Sequence, residues 1–141
     1  LLVTRSTFNT DLDANYKAMQ QFGISKQQAK FFLPPYEWYN DTIASWTKSK
    51  GLQLINYTPG TISHADYTTK DLKNYRSSEE ILKSILSYEQ SHEAGLNGFI
   101  LLMHIGAGPG RPDKLYNKLP EIIKYLKTKG YSLVRVDNLL K

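Results

Sequence analysis

Two patterns of apolar residues alternate along this chain: positions recurring every three or four residues, and short continuous runs closed by glycine, proline or asparagine. Leu12, Tyr16 and Met19 stand at near-helical intervals before Gly23, which predicts a helix starting between Thr4 and Thr10. Phe31-Phe32-Leu33 gives a strand over Lys30–Leu33, stopped by Pro34-Pro35. Ile43, Trp46 and Thr47 form one face of a second helix, capped by Asn40 or Asp41 and ended at Gly51, and Leu52–Ile55 reads as a second buried strand. From Asn56 to Asn74 there is little periodicity, and a loop this long in a compact domain is usually functional or mobile. Ser77 and Glu80 satisfy the capping-box spacing, with Ile81, Leu82, Ile85, Leu86 and Glu89 continuing a helix to about Ala94. Phe99 to Met103 is an unbroken apolar run entering His104 and a Gly/Pro-rich loop, which predicts a strand over Phe99–His104. The clearest helical face is Leu119, Ile122, Ile123 and Leu126, with Pro120 near its start and Gly130 past its end. Ser132–Val136 is the last predicted strand, with Asp137 available to cap a terminal turn.

Helix and strand thus alternate four times. Strands separated by helical crossovers run parallel, so the fold class is α/β. The carboxyl ends of such strands face the crevice in which ligands bind. The pattern therefore predicts that Pro35-Tyr36, Asn56-Tyr57 and His104 lie on the same side of one sheet. Residues 1–141 suffice for a single domain, and neither an internal repeat nor a linker divides them.

Composition narrows the partners. A 40% apolar fraction and 22% charged residues are ordinary for a globular protein. The formal charge of +5 is dispersed, with its mildest concentration on the late helix as Lys114, Lys118, Lys124, Lys127 and Lys129. That is a solvated face rather than a nucleic-acid footprint, so no nucleic-acid partner is expected. No apolar run approaches the roughly 20 residues of a membrane span. Without cysteine there is neither a disulfide framework nor a thiolate metal site. Leu1-Leu2-Val3 is neither an initiator nor a signal sequence, so the reading expects the interior of a longer chain whose N-terminal strands are missing.

His104 is the leading chemical candidate, because histidine titrates near neutrality and a strand end presents it to a ligand. A structural histidine is the plainer alternative. Glu37, Trp38, Tyr39 and Tyr57 are candidate glycan contacts, since flat aromatic faces beside polar groups suit sugar rings; packing, or for Glu37 a helix-start carboxylate, is the competing account. Trp46 belongs to a helical apolar face and reads as core. Gly106-Ala107-Gly108-Pro109-Gly110 lacks the Lys-Ser/Thr pair of a phosphate loop, and its prolines remove donors. No His-x-x-x-His spacing exists, and His64, His92 and His104 fall on different elements, so no metal ligands are expected within this chain.

Leu101-Leu102-Met103-His104, the following loop, the helix around Leu119 to Leu126, Gly130-Tyr131 and the closing Val134 to Leu140 together resemble the end of a polysaccharide deacetylase domain of the NodB-homology class. Phe32-Leu33-Pro34-Pro35-Tyr36 resembles that family's earlier Arg-x-Pro-Tyr motif. The resemblance covers nearly the whole chain and implies the parallel-strand portion of a distorted (β/α) barrel. It implies metal-assisted hydrolysis of acetyl groups from an acetylated polysaccharide or oligosaccharide by the full-length protein. A divalent metal, usually zinc, would be bound by an aspartate and two histidines upstream of Leu1, with this chain inactive alone. Carried over, His104 is the general acid, Leu102 is part of the acetyl pocket, and the Tyr36 amide helps hold the oxyanion, with Pro35 beside it in the oxyanion and substrate pocket. The metal would lower the pKa of its water and polarise the acetyl carbonyl. A glycan substrate implies an extracellular, periplasmic or cell-envelope setting, and an opened barrel implies a homo-oligomer or pairing with the missing half. Leu33 occupies the motif's arginine position, and the family's next motif is not recognisable at Asn56-Tyr57-Thr58-Pro59. A non-catalytic carbohydrate-binding or assembly module on the same scaffold, or an unrelated α/β domain, are the alternatives.

Overall fold

Thr4 supplies what the first helix lacks at its start: its Oγ1 accepts the Thr7 N–H at 3.1 Å. Helix α1, Arg5–Gln20, follows in the computed structural model, which describes residues 3–140. Gly23, at φ 72°, lets the chain turn out of the helix. Strand β1, Phe31–Phe32, helix α2, Asp41–Ser49, and strand β2, Gln53–Leu54, then form a parallel crossover, with Phe31 opposite Gln53 and Phe32 opposite Leu54. Asn40 is the cap of α2, its Oδ1 accepting from the Ile43 N–H at 3.0 Å. Phe8, Leu12 and Leu52 are buried together, with Tyr16, Phe32, Ile43 and Trp46 packed around them. Phe8 meets Phe32 edge-on and Trp46 at a tilt, both with centroids 5.7 Å apart.

The chain divides after Asn56 into two compact units, of which this is the first. The second is built on helices α3, Ser78–Ser91, and α4, Leu119–Thr128. Ile81, Leu82 and Ile85 of α3 pack with Leu96, Leu115, Ile122 and Leu126 in a larger core. The Tyr125 hydroxyl of α4 donates to Glu89 of α3 at 2.6 Å. Two 3₁₀ helices, Ser63–Tyr67 and Leu115–Lys118, and a short helix α5, Val136–Leu139, complete this unit.

The class is α/β, but two of the four expected strands are not realised among the described residues. At Phe99–His104 the Thr58 N–H donates to the Ile100 carbonyl at 2.9 Å, while the Ile100 N–H is answered by the Thr58 hydroxyl at 3.0 Å. Pro59 has no N–H and Gly60 turns away at φ 123°, so the contact does not propagate into a ladder. Ser132–Val136 is likewise unpaired, because Val136 already starts α5, whose first turn is held by the Arg135–Asp137 ion pair at 3.0 Å. The two parallel strands that do form make an open pair. No helix among the described residues is long and apolar enough to cross a membrane.

Candidate functional site

The sequence Ser63-His64-Ala65-Asp66-Tyr67 forms one 3₁₀ helix, closed where Thr68 turns its N–H and hydroxyl back onto the Ala65 carbonyl at 3.1 and 2.7 Å. Asp66, 1% exposed, is aimed by this helix at His104. One carboxylate oxygen accepts the His104 main-chain N–H at 2.7 Å, and the other lies 2.6 Å from Nδ1. A carboxylate only accepts, so Nδ1 carries the proton and the ring's exchangeable position is Nε2. The main-chain bond fixes where the residue sits, while the side-chain bond fixes its tautomer and ring plane. Tyr67 meets the imidazole edge-on at 5.3 Å, and the His104 side chain stays 34% exposed. The result is an oriented, solvent-reachable imidazole with a buried carboxylate behind it.

A buried guanidinium supports the pair. Arg111 is 0% exposed, and its Nη1 donates to the Thr68 carbonyl at 2.7 Å, Nη2 to the Arg76 carbonyl at 2.9 Å and Nε to the Asp113 carbonyl at 2.9 Å. It thereby ties the residue that closes the Asp66 helix to the loop that leaves His104 and to the start of α3. Asp113 lies 3.6 Å from the same guanidinium and accepts from the Ser78 N–H and the Tyr75 hydroxyl at 2.7 and 3.0 Å. Burial pushes the Asp113 carboxyl up, but the Ser78 and Tyr75 hydrogen bonds and the Arg111 charge together outweigh it and hold it below the usual carboxylate range. Lys114 donates to the Ala107 and Gly108 carbonyls, pinning the glycine-rich loop after His104 by its backbone.

Leu102 belongs to the same segment. Phe99, Leu101 and Met103 of this segment pack on the core, and Leu102 between them is half-buried. Tyr57 also lies in the second unit, stacked on His64 with centroids 4.8 Å apart. Pro35, Tyr36, Glu37, Trp38 and Tyr39 belong to the first.

In that first unit, Pro34-Pro35 drives the chain into a 3₁₀ turn, Pro35–Glu37, whose Tyr36 and Glu37 adopt left-handed φ values of 57° and 59°. The Asn56 amide donates to the Glu37 carbonyl at 3.0 Å and holds the turn. No bond to the Tyr36 N–H is formed among the described residues. The Tyr36 and Trp38 side chains are 81% and 77% exposed, with ring centroids 6.2 Å apart. They edge a cleft of about 550 Å³ lined by Phe8, Phe32, Pro35 and Tyr39. Trp46, by contrast, packs against the core, as its place on the helical face predicts.

Neither the known family models nor the curated proteins match this chain. Among the described residues no group of three or more His, Asp or Glu side chains is placed to hold a metal ion.

Asp66 and Arg111 escape sequence reasoning. Asp66 lies in a stretch with no helical or strand period, 38 residues before the histidine it meets. Its signal was a lone aspartate among small and aromatic residues. For Arg111 the signal was an arginine two residues from an aspartate inside a Gly/Pro loop.

Proposed function

We propose that this chain is the C-terminal part of a polysaccharide deacetylase-like domain, within a distorted (β/α) barrel, and that the full-length protein hydrolyses acetyl groups from an acetylated glycan. The observation that carries the reading is the Asp66–His104 pair, with Nδ1 held 2.6 Å from a buried carboxylate. An imidazole so fixed delivers a proton from Nε2 to a departing amine or alcohol, and Asp66 stabilises the imidazolium before transfer. Leu102, two residues before His104, suits contact with an acetyl methyl group. The divalent metal and the base of this reading belong to residues outside this chain.

The test is deacetylation of a panel of N- and O-acetylated sugars, with zinc or cobalt added, by this chain and by a version extended upstream through the metal motif. Activity is expected only in the extended form, falling at least a hundredfold in His104→Ala and at least tenfold in Asp66→Asn. An extended, folded, metal-loaded protein with no activity would remove the enzyme reading. The second reading, a non-catalytic carbohydrate-binding or assembly module, draws on Leu33 at the motif's arginine position and on the exposed Tyr36 and Trp38 rings. That outcome would favour it.

A further inference from the structure

The cleft edged by Tyr36 and Trp38 does not end at those rings. A second cleft of about 410 Å³ lies beside it and shares Asp11, Leu12, Phe32 and Pro35 with it. Between them they follow α1 from Thr7 to Met19, roughly 18 Å at the rise of a helix. A groove of that length suits an extended ligand rather than a single ring.

Its lining is chemically one-sided. Tyr36 and Trp38 expose aromatic faces with polar tips at the first cleft, the arrangement that covers an apolar sugar face while its hydroxyl groups stay hydrogen-bonded. Asp11 is the one charged side chain lining either cleft among the described residues, and it forms no ion pair there. No lysine or arginine lines the cleft at Tyr36 and Trp38, although the chain as a whole carries +5; a cation does stand at the second cleft, where Lys26 lies over the Tyr16 ring at 5.6 Å. An anionic polymer, which the overall charge would attract, finds no counter-charge among the residues lining the first cleft. A cationic ligand finds a carboxylate and two exposed π faces, and both favour it.

We propose that this groove binds an oligosaccharide bearing free amino groups, with Trp38 and Tyr36 stacking on its rings and Asp11 pairing with an ammonium group. The inference rests on the glycan reading and makes it more specific: the groove selects the de-N-acetylated form, the product of that chemistry. The left-handed turn at Tyr36 and Glu37 is what holds the Tyr36 ring at the rim, a strained backbone of the kind found where ligands are clamped.

Calorimetric titration of the chain with a glucosamine tetramer and with an N-acetylglucosamine tetramer, below and above the titration range of the sugar amine, tests it. The glucosamine tetramer is expected to bind at least twofold to fivefold more tightly than the acetylated one at the lower pH, the range of an exposed ion pair, and equally at the higher pH. Asp11→Asn is expected to remove the preference, and Trp38→Ala to weaken both ligands about tenfold. Asp71→Asn, an exposed carboxylate of the second unit, controls for net charge and should change neither. Asp11 and Trp38 are exposed, so their substitution leaves the core intact, which circular dichroism verifies. Equal or reversed preference at the lower pH, a preference surviving Asp11→Asn, or no binding of either tetramer would overturn the proposal. So would a lysine-rich peptide binding as tightly as the glucosamine tetramer, or protein dimers that bury Trp38 in sedimentation. Deacetylase activity retained in the extended protein alongside any of these results would remove this inference and leave the enzymatic reading standing.

Discussion

Tyr36 and Glu37 hold their backbone where a β-carbon meets the following carbonyl oxygen, at a cost of about 1–2 kcal/mol per residue. A glycine avoids that clash but loses more chain entropy on folding, about 0.5–1 kcal/mol. Glu37→Gly is therefore expected to raise stability by about 0.5–1 kcal/mol, measured by urea unfolding at unchanged m-value. A loss of stability would mean that the Glu37 side chain contributes more than the strain removes. The same substitution at Tyr36 removes a ring from the groove, so there relief of strain and loss of contact work against each other.

At the scale of the element, the start of α3 joins a local device to a distant one. The local part is the capping box: the Ser77 hydroxyl accepts from the Glu80 N–H at 3.2 Å, and the Glu80 carboxylate accepts from the Ser77 N–H at 2.7 Å. This was legible in the sequence because both partners lie within one turn, and so were the ends of α1, α2 and α4, where Thr4, Asn40 and Pro120 act within their own helices. The distant part was not legible. Arg111 reaches Thr68 and Ser78, 43 and 33 residues away, and Asp66 meets His104 across 38. No local period encodes such pairings. The predicted strand at Phe99–His104 failed for a related reason: an apolar run specifies burial, whereas a ladder also needs a partner with a free N–H at each rung, and Pro59 and Gly60 interrupt it. Arg111→Lys should cost about 3–5 kcal/mol in thermal or urea unfolding, because an ammonium cannot reach three separate carbonyls in the plane of a guanidinium. Asp113 adds a pH dependence. Its folded pKa lies below its unfolded value, so its stabilisation is complete above the unfolded value near 4 and is lost as pH falls through the folded one. The stability gap between the native chain and Asp113→Asn should therefore be widest near neutrality and close below about pH 4. A gap constant from pH 7 to pH 3 would show that the carboxylate's charge is not what it contributes.

For the whole molecule, the two units have unequal means of staying folded. The first buries Phe8, Leu12 and Leu52 around a single pair of two-residue strands. The second buries Ile81, Leu82, Ile85, Leu96, Leu115, Ile122 and Leu126, and adds the satisfied Arg111 cluster. At about 1.5–3 kcal/mol for each fully buried large apolar side chain, the difference in gross burial is several kcal/mol. Native-state hydrogen exchange should therefore protect the amides of α3 and α4 more strongly than those of α1 and α2, with Ile85→Ala lowering protection in the second unit by about 2–5 kcal/mol. Equal protection throughout would instead mean that the whole chain opens as one cooperative body. The imbalance also bears on function, because His104 sits on the well-buried unit and the aromatic groove on the lightly built one. The proposed acid catalysis needs an imidazole held in one orientation. A groove that accepts a chain-like ligand tolerates more movement, and an occupied groove should raise protection along α1, since any ligand that binds only the folded form stabilises it by mass action. Exchange along α1 that does not change with a saturating glucosamine tetramer would place the binding elsewhere.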